Sequence, residues 1–218
     1  MIDLNHEEEQ RERNYGPVPA GSRVLLRLSV LKPNYPSRDD EMLAETKNGL
    51  LQLAGKLEVV SGTYEGCAWY ENITLPESSQ TVGLTDSQRT SCRIGGSLLR
   101  AIVESARRID PKATDTRSCR GRSVNTWLDF DGMEFPAKVK LDKEPYIGKD
   151  GREYWKNRIA AVIACTAKEY EDISRGGEII TDGPVRGEGA APPRGKGTGR
   201  NAQSLPYDDT PYADEVPF

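Results

Sequence analysis

A chain of 218 residues with 36% hydrophobic and 29% charged residues can build one domain of ordinary size plus an appendage. Its formal net charge of −4 argues, taken alone, against a nucleic-acid partner. It has no run of about 18 apolar residues and no charged-then-apolar leader, so a soluble, cytoplasmic protein without a membrane association is expected.

The distribution of charge along the chain points the other way. Residues 1–16 hold five acids and two bases, and residues 171–218 nine acids and five bases. Residues 17–170 hold 23 bases and 20 acids, so the middle is mildly basic between two acidic ends.

In chain order, residues 1–16 are polar and charge-rich and predict a flexible acidic arm. Val24, Leu26, Leu28 and Val30 then alternate with their neighbours at period two and predict a strand that ends at KPNYPS. LLQLAGKLEVV (Leu50–Val60) and TYEGCAWYENITL (Thr63–Leu75) predict a long hairpin, with Gly55 and Gly66 at bulges or bends. From Gly95 to Ile109 the period becomes helical, with Leu98, Leu99, Ile102, Val103 and Ala106 on one stripe, Ser97 as cap and Pro111 beyond the end. PKATDTRSCRGRS (111–123) reads as a basic loop and NTWLDF as a short strand turning at Asp131-Gly132. MEFPAKVKL is an alternating strand, DKEPYIGKDGRE a long turn and YWKNRIAAVIACT a final strand. Strand, strand, strand, helix, strand, strand is the order of an OB-fold. The fold class expected for residues 17–170 is therefore mainly β, an OB-fold-like five-stranded barrel with one helix between its third and fourth strands. From Glu171 the apolar period disappears into a Gly/Pro-rich stretch, so a disordered linker and tail are expected over 171–218.

Signals for catalysis are few. There is no GxxxxGK[ST], GxSxG or HExxH, and the single histidine, His6, argues against a histidine-dependent triad. Asp129, Asp131 and Glu134 are a rival metal-dependent nuclease cluster, although acids flanking an Asp-Gly turn are usually solvated turn residues. Cys67, Cys92, Cys119 and Cys165 are irregularly spaced without a CxxC pair, which favours reduced thiols over a zinc site. No catalytic residue, metal or cofactor is expected.

The binding signals are richer. If the last strand runs without a bulge, Arg152, Tyr154, Lys156 and Arg158 share its non-core face, beside Lys138 and Lys140 on the preceding strand. Tyr64, Trp69, Tyr70, Tyr146 and Tyr154 are the candidate stacking residues, with Trp69 and Trp155 also in phase with apolar core positions. Between residues 87 and 122 nine bases face three acids, and Arg107, Arg108, Arg117, Arg120 and Arg122 suit a mobile loop that clamps a phosphate backbone. Aromatic faces with interleaved Lys and Arg point to single-stranded nucleic acid, although outward bases on strands also serve simply as solvated edge guards.

A mildly basic barrel, a Gly/Pro linker and DDTPYADEVPF at the C-terminus resemble single-stranded DNA-binding proteins, and TYEGCAWYENITL, FDGMEFPAKVKL and EYWKNRIAAVI in that order resemble the phage type more than the cellular type. That resemblance implies a sequence-independent single-stranded DNA-binding protein of phage replication, recombination or repair. It also implies that Asp208, Asp209, Asp214, Glu215, Val216, Pro217 and Phe218 form a tip that recruits partner enzymes, the acids also competing with DNA for the barrel. The acids here are split by TPYA, and Glu-Val stands where Asp-Ile is common in such tips. A recombination mediator or strand-annealing protein, and an adaptor or decoy that uses the tail without binding DNA, are the other readings. Monomer and homo-oligomer both stay open.

Overall fold

The period-two run after Ser22 becomes β1 (Arg23–Val30), with Val24, Leu26 and Leu28 fully buried on one face. In this computed structural model the described residues are 16–38, 40–80, 82–148, 151 and 153–181. The expected acidic arm, Arg152, most of the expected linker and the tip residues lie outside them. Among the described residues no helix is long and apolar enough to cross a membrane.

The fold is mainly β and antiparallel. β2 (Leu43–Glu45) and β3 (Leu51–Val59) follow β1, then β4 (Ala68–Thr74) and the helix α1 (Asp86–Ala106). A short helix α2 (Thr116–Gly121), β5 (Met133–Leu141), β6 (Tyr146–Ile147), β7 (Glu153–Tyr154), β8 (Asn157–Val162) and a last helix α3 (Tyr170–Ser174) complete the order. The ladders run β4–β3–β1–β5–β8, and β2 shares with β1 the same edge of β3. Among the described residues no ladder joins β4 to β8 to close the expected barrel. The two end strands meet through side chains, at Glu71 and Arg158, 3.9 Å apart.

Leu26, Leu28, Leu53, Leu57, Phe135 and Val139 form the centre of the core, and Leu99, Ile102 and Val103 of α1 close over it. The helix begins well before the expected Gly95. Thr85 and Gln88 make a reciprocal capping box, the Thr85 N–H donating to Gln88 Oε1 over 2.8 Å. Gly95 is no helix break; a Cβ there would lie 1.9 Å from the Thr74 carbonyl oxygen, so only glycine lets α1 press onto the end of β4. Gly66 does sit in the hairpin turn, at φ 81°, whereas Gly55 lies inside an unbroken ladder, where a Cβ would meet Leu28 Cδ1 at 2.6 Å.

Other expectations shift for identifiable reasons. β2 is too short to show a period. NTWLDF is a 3-10 turn (Trp127–Phe130), not a strand, because Asp129 accepts the Asn125 N–H (2.6 Å) and pairs with Thr126 in a local cap. The long turn carries the β6–β7 hairpin, and the final strand breaks at Trp155-Lys156 before β8.

Chain folding also continues past 170. Tyr170 and Ile173 cover the outer-face residues Leu25 and Ile163, forming a second small core. Ile179 exchanges backbone bonds with Arg23 (2.8 and 2.9 Å), and the Glu178 carboxylate accepts the Thr63 N–H (2.9 Å). Residues 171–181 thus belong to the fold and not to the expected linker. Ile173 and the adjacent Ile179-Ile180 carry no period in a polar stretch, so the sequence offers Ile179-Ile180 as a local contact at most and does not reveal that the fold continues to residue 181.

Three substitutions test this account. Gly95→Ala should lower Tm by about 3–10 °C, the cost of pushing α1 off a backbone atom. Thr85→Ala should cost about 1 kcal/mol in denaturant unfolding, while Ser97→Ala, at the cap expected from sequence, should be neutral.

Candidate nucleic-acid interface

The β5–β8 pair is the base of the site. Lys138 stands opposite Arg23 on β1 and Ala161 on β8, and Lys140 stands opposite Arg158. Both lysines are exposed and have no ion-pair partner among the described residues. The single basic face expected along the last strand does not form as drawn. The chain breaks between Tyr154 and Asn157, and the β5–β8 register shifts between Lys138 and Val139. Arg152 lies outside the described residues.

That break has a useful result. β6 and β7 form a small hairpin between β5 and β8, and it sets Tyr146 across from Tyr154. Their rings stack at 5.4 Å between centroids and 22° between planes, and 53% and 40% of the two residues is exposed. Two aromatic faces are thereby presented on a ribbon rooted in the two basic strands. Tyr70, on β4, is also exposed. The remaining expected stacking residues are placed differently. Trp69 is buried in the main core and is removed from the stacking set. Tyr64 lies in the 62–66 turn rather than a strand, half-buried against the core, and burial raises its phenol pKa, with Glu178 adding to the rise. Trp155 is half-buried.

One aromatic was missed. Tyr35 is the most exposed large hydrophobic among the described residues, at 75%, in the loop between β1 and β2. Its position between Asn34 and Pro36 was the signal: a tyrosine in a turn-forming stretch has no core face to join.

Comparison with known protein families, with characterised proteins and with solved structures gives no match.

The basic segment after α1 is no mobile loop. Asp115 caps α2 by accepting the Ser118 N–H at 3.0 Å, and hydrogen bonds from Ser118 hold the Asp115 carboxyl below its usual range. Glu104, buried on α1, accepts from Arg100 Nε (2.8 Å) and Arg122 Nε (2.6 Å), and Arg122 also donates to the Asp110 carbonyl (2.9 Å). Arg107 donates to the carbonyls of Gly121 and Ser123, each at 2.8 Å. Arg107 and Arg122 therefore hold the α1–α2 corner together. Arg108 ends α1 in the left-handed region (φ 54°), pairs with Glu171 at 2.9 Å and lies over the Tyr170 ring. Of the five arginines, Arg117 and Arg120 are left exposed without an ion-pair partner among the described residues.

The candidate nuclease acids are dispersed in the same way. Asp129 is bound in its local cap, Asp131 accepts the Val30 N–H (2.8 Å), and Glu134 pairs with Arg27 (2.6 Å). Among the described residues no group of three His, Cys, Asp or Glu is placed to hold a metal ion. The four cysteines are free thiols, and burial raises the pKa of Cys67, Cys92 and Cys165.

Where β4 approaches β8, Arg158 pairs with Asp142 and, at 3.9 Å, with Glu71, whose side chain is 12% exposed. Lys156 also bears on this carboxylate. Burial raises the Glu71 pKa; the charges of Arg158 and Lys156 oppose the rise, and so does the Trp69 indole, without completing a hydrogen bond. A carboxyl raised on folding stabilises the fold most below its unfolded pKa, and that contribution is lost as pH climbs through the folded value. Glu71→Gln should therefore raise Tm at pH 7–8 and leave it nearly unchanged below about pH 4, in thermal melts across that range. A destabilised variant at neutral pH would show that the Arg158 pairing outweighs burial.

Proposed function

We propose that this protein is a sequence-independent single-stranded DNA-binding protein. In this reading it coats strands exposed in replication, recombination or repair, as phage-type proteins of this layout do. The observation that carries the proposal is the exposed, stacked Tyr146–Tyr154 pair on the hairpin between β5 and β8, next to Lys138 and Lys140 of β5. Bases stack on such faces whatever their identity, and lysines follow phosphates without reading sequence.

The strand order supports the same reading. β1, β3, β4, α1, β5 and β8 follow one another as the five strands and helix of an OB-fold do, with four antiparallel ladders between OB-fold neighbours. On that correspondence the β6–β7 hairpin occupies the loop between the fourth and fifth strands, and Tyr35 the loop between the first and second. Both loops bind oligonucleotides in that fold. The acidic segment from Asp208 to Phe218 is proposed, on its sequence alone, to engage partner enzymes through Phe218 while its acids supply long-range attraction.

Fluorescence anisotropy with labelled oligo(dT), beside a duplex of equal length and across a salt series, tests the proposal. The full chain should prefer the single strand. Tyr146→Ala and Tyr154→Ala should each lose about 1–3 kcal/mol of binding. Joint replacement of Lys138 and Lys140 by Gln should flatten the log–log salt slope by about 1.4. Absence of binding by the full chain, or full affinity in both tyrosine variants, would overturn it.

A further inference from the structure

The first residues of the described chain are pinned beside Lys138 and Lys140. The Val18 N–H donates to Asn157 Oδ1 (2.9 Å) and the Asn157 amide donates back to the Val18 carbonyl (2.8 Å), with Val18 fully buried. The Gly21 N–H then donates to the Val139 carbonyl (2.8 Å), and the Val139 N–H to the Ser22 carbonyl (2.9 Å). Val139 is the residue between Lys138 and Lys140. Whatever precedes Gly16 is thus tethered at the edge of the basic strip, and what precedes it is acidic: Glu7, Glu8 and Glu9 in succession.

The strip's other cations already have acids of their own. Arg23 is paired with Glu169 (3.4 Å), and Arg158 with Asp142 and Glu71. Lys138 and Lys140 are the exceptions among these four. From Val18 back to Glu9 is nine residues, an extended reach of about 30 Å, far more than the step from β1 to β5 requires.

We propose that the acidic N-terminal segment docks through Glu7, Glu8 and Glu9 onto Lys138 and Lys140 of its own chain and competes there with nucleic acid. The acids of the C-terminal tip are the weaker claimant for this strip, and the nearer Asp182 and Glu188 are isolated single charges with Arg186 between them. Thr181 is also held near β1, its hydroxyl donating to the Ala20 carbonyl (2.8 Å), but Asp208 follows only after 27 residues. A tether three times as long lowers effective concentration about fivefold. Docking of this kind weakens as salt screens it, and it makes the strip selective for ligands with more negative charge than three carboxylates. The competition rests on the proposed function; the docking does not.

The experiment uses the full chain and a variant with Glu7, Glu8 and Glu9 all replaced by Gln, which leaves every described residue unchanged. Lysine acetylation footprinting without DNA should show Lys138 and Lys140 reacting about threefold to tenfold faster in the variant at about 20 mM salt. The difference should vanish at about 0.5 M salt, and Lys112 should be equal in both proteins. Oligo(dT) affinity should rise by a similar factor at low salt only. Equal reactivity of Lys138 and Lys140 in the two proteins would overturn the docking. Protection that fades on dilution would assign it to a second copy and overturn the intramolecular contact. Equal DNA affinity despite protection would overturn the competition. Protection in a chain that binds no oligo(dT) would sustain the docking and defeat the proposed function, so the two failures are separable.

Discussion

β1 is hydrogen-bonded along both edges, residues 26–30 to β3 and residues 23–28 to β5, and so joins the two halves of the sheet. Its side chains are committed on both faces as well. Val24, Leu26 and Leu28 enter the main core, while Leu25 looks the other way and is covered by Tyr170 and Ile173. A strand this enclosed has little freedom of register, because a slip of one residue would exchange the two faces. β3 and β5 inherit their register from it, and β4 and β8 from them in turn.

The site follows from that frame. Because β5 and β8 are antiparallel neighbours, the chain between them has to reverse, and it does so through the β6–β7 hairpin. The cross-strand position of Tyr146 and Tyr154 is then set by pairing geometry. The lysines of β5 face outward because Phe135, Ala137 and Val139 face the core. Much of the surrounding positive charge is consumed internally: Arg107 and Arg122 hold the α1–α2 corner, and Arg108 and Arg158 have acidic partners. The arginine-rich region that stands out in a charge count is in large part a structural joint, with Arg117 and Arg120 left exposed and without an ion-pair partner among the described residues.

Long periodic elements were legible from residues alone. β1, β3, β5 and the second half of α1 have apolar stripes at the period of the element, and their burial follows the stripe. What escaped was set by single contacts. The start of α1 depends on a threonine and a glutamine three residues apart, and Gly95, expected as the boundary, is where the helix meets Thr74. The segment 171–181 joins the fold through Ile173, Glu178 and Ile179, each without a periodic neighbour. Tyr35 was passed over because it belongs to no element.

The alternation of apolar and polar faces, the order of the main elements and the separation of acidic ends from a basic middle are local properties of the chain, and the residues alone specify them. Which charges remain available and which aromatics meet is settled only by folding. Glu104 neutralises Arg122 across 18 positions, and Tyr146 reaches Tyr154 across a hairpin. Trp69 and Tyr70, adjacent in the chain, end on opposite sides of one strand. Burial and pairing are properties of neighbours in space, and the β1-centred register is what makes them neighbours.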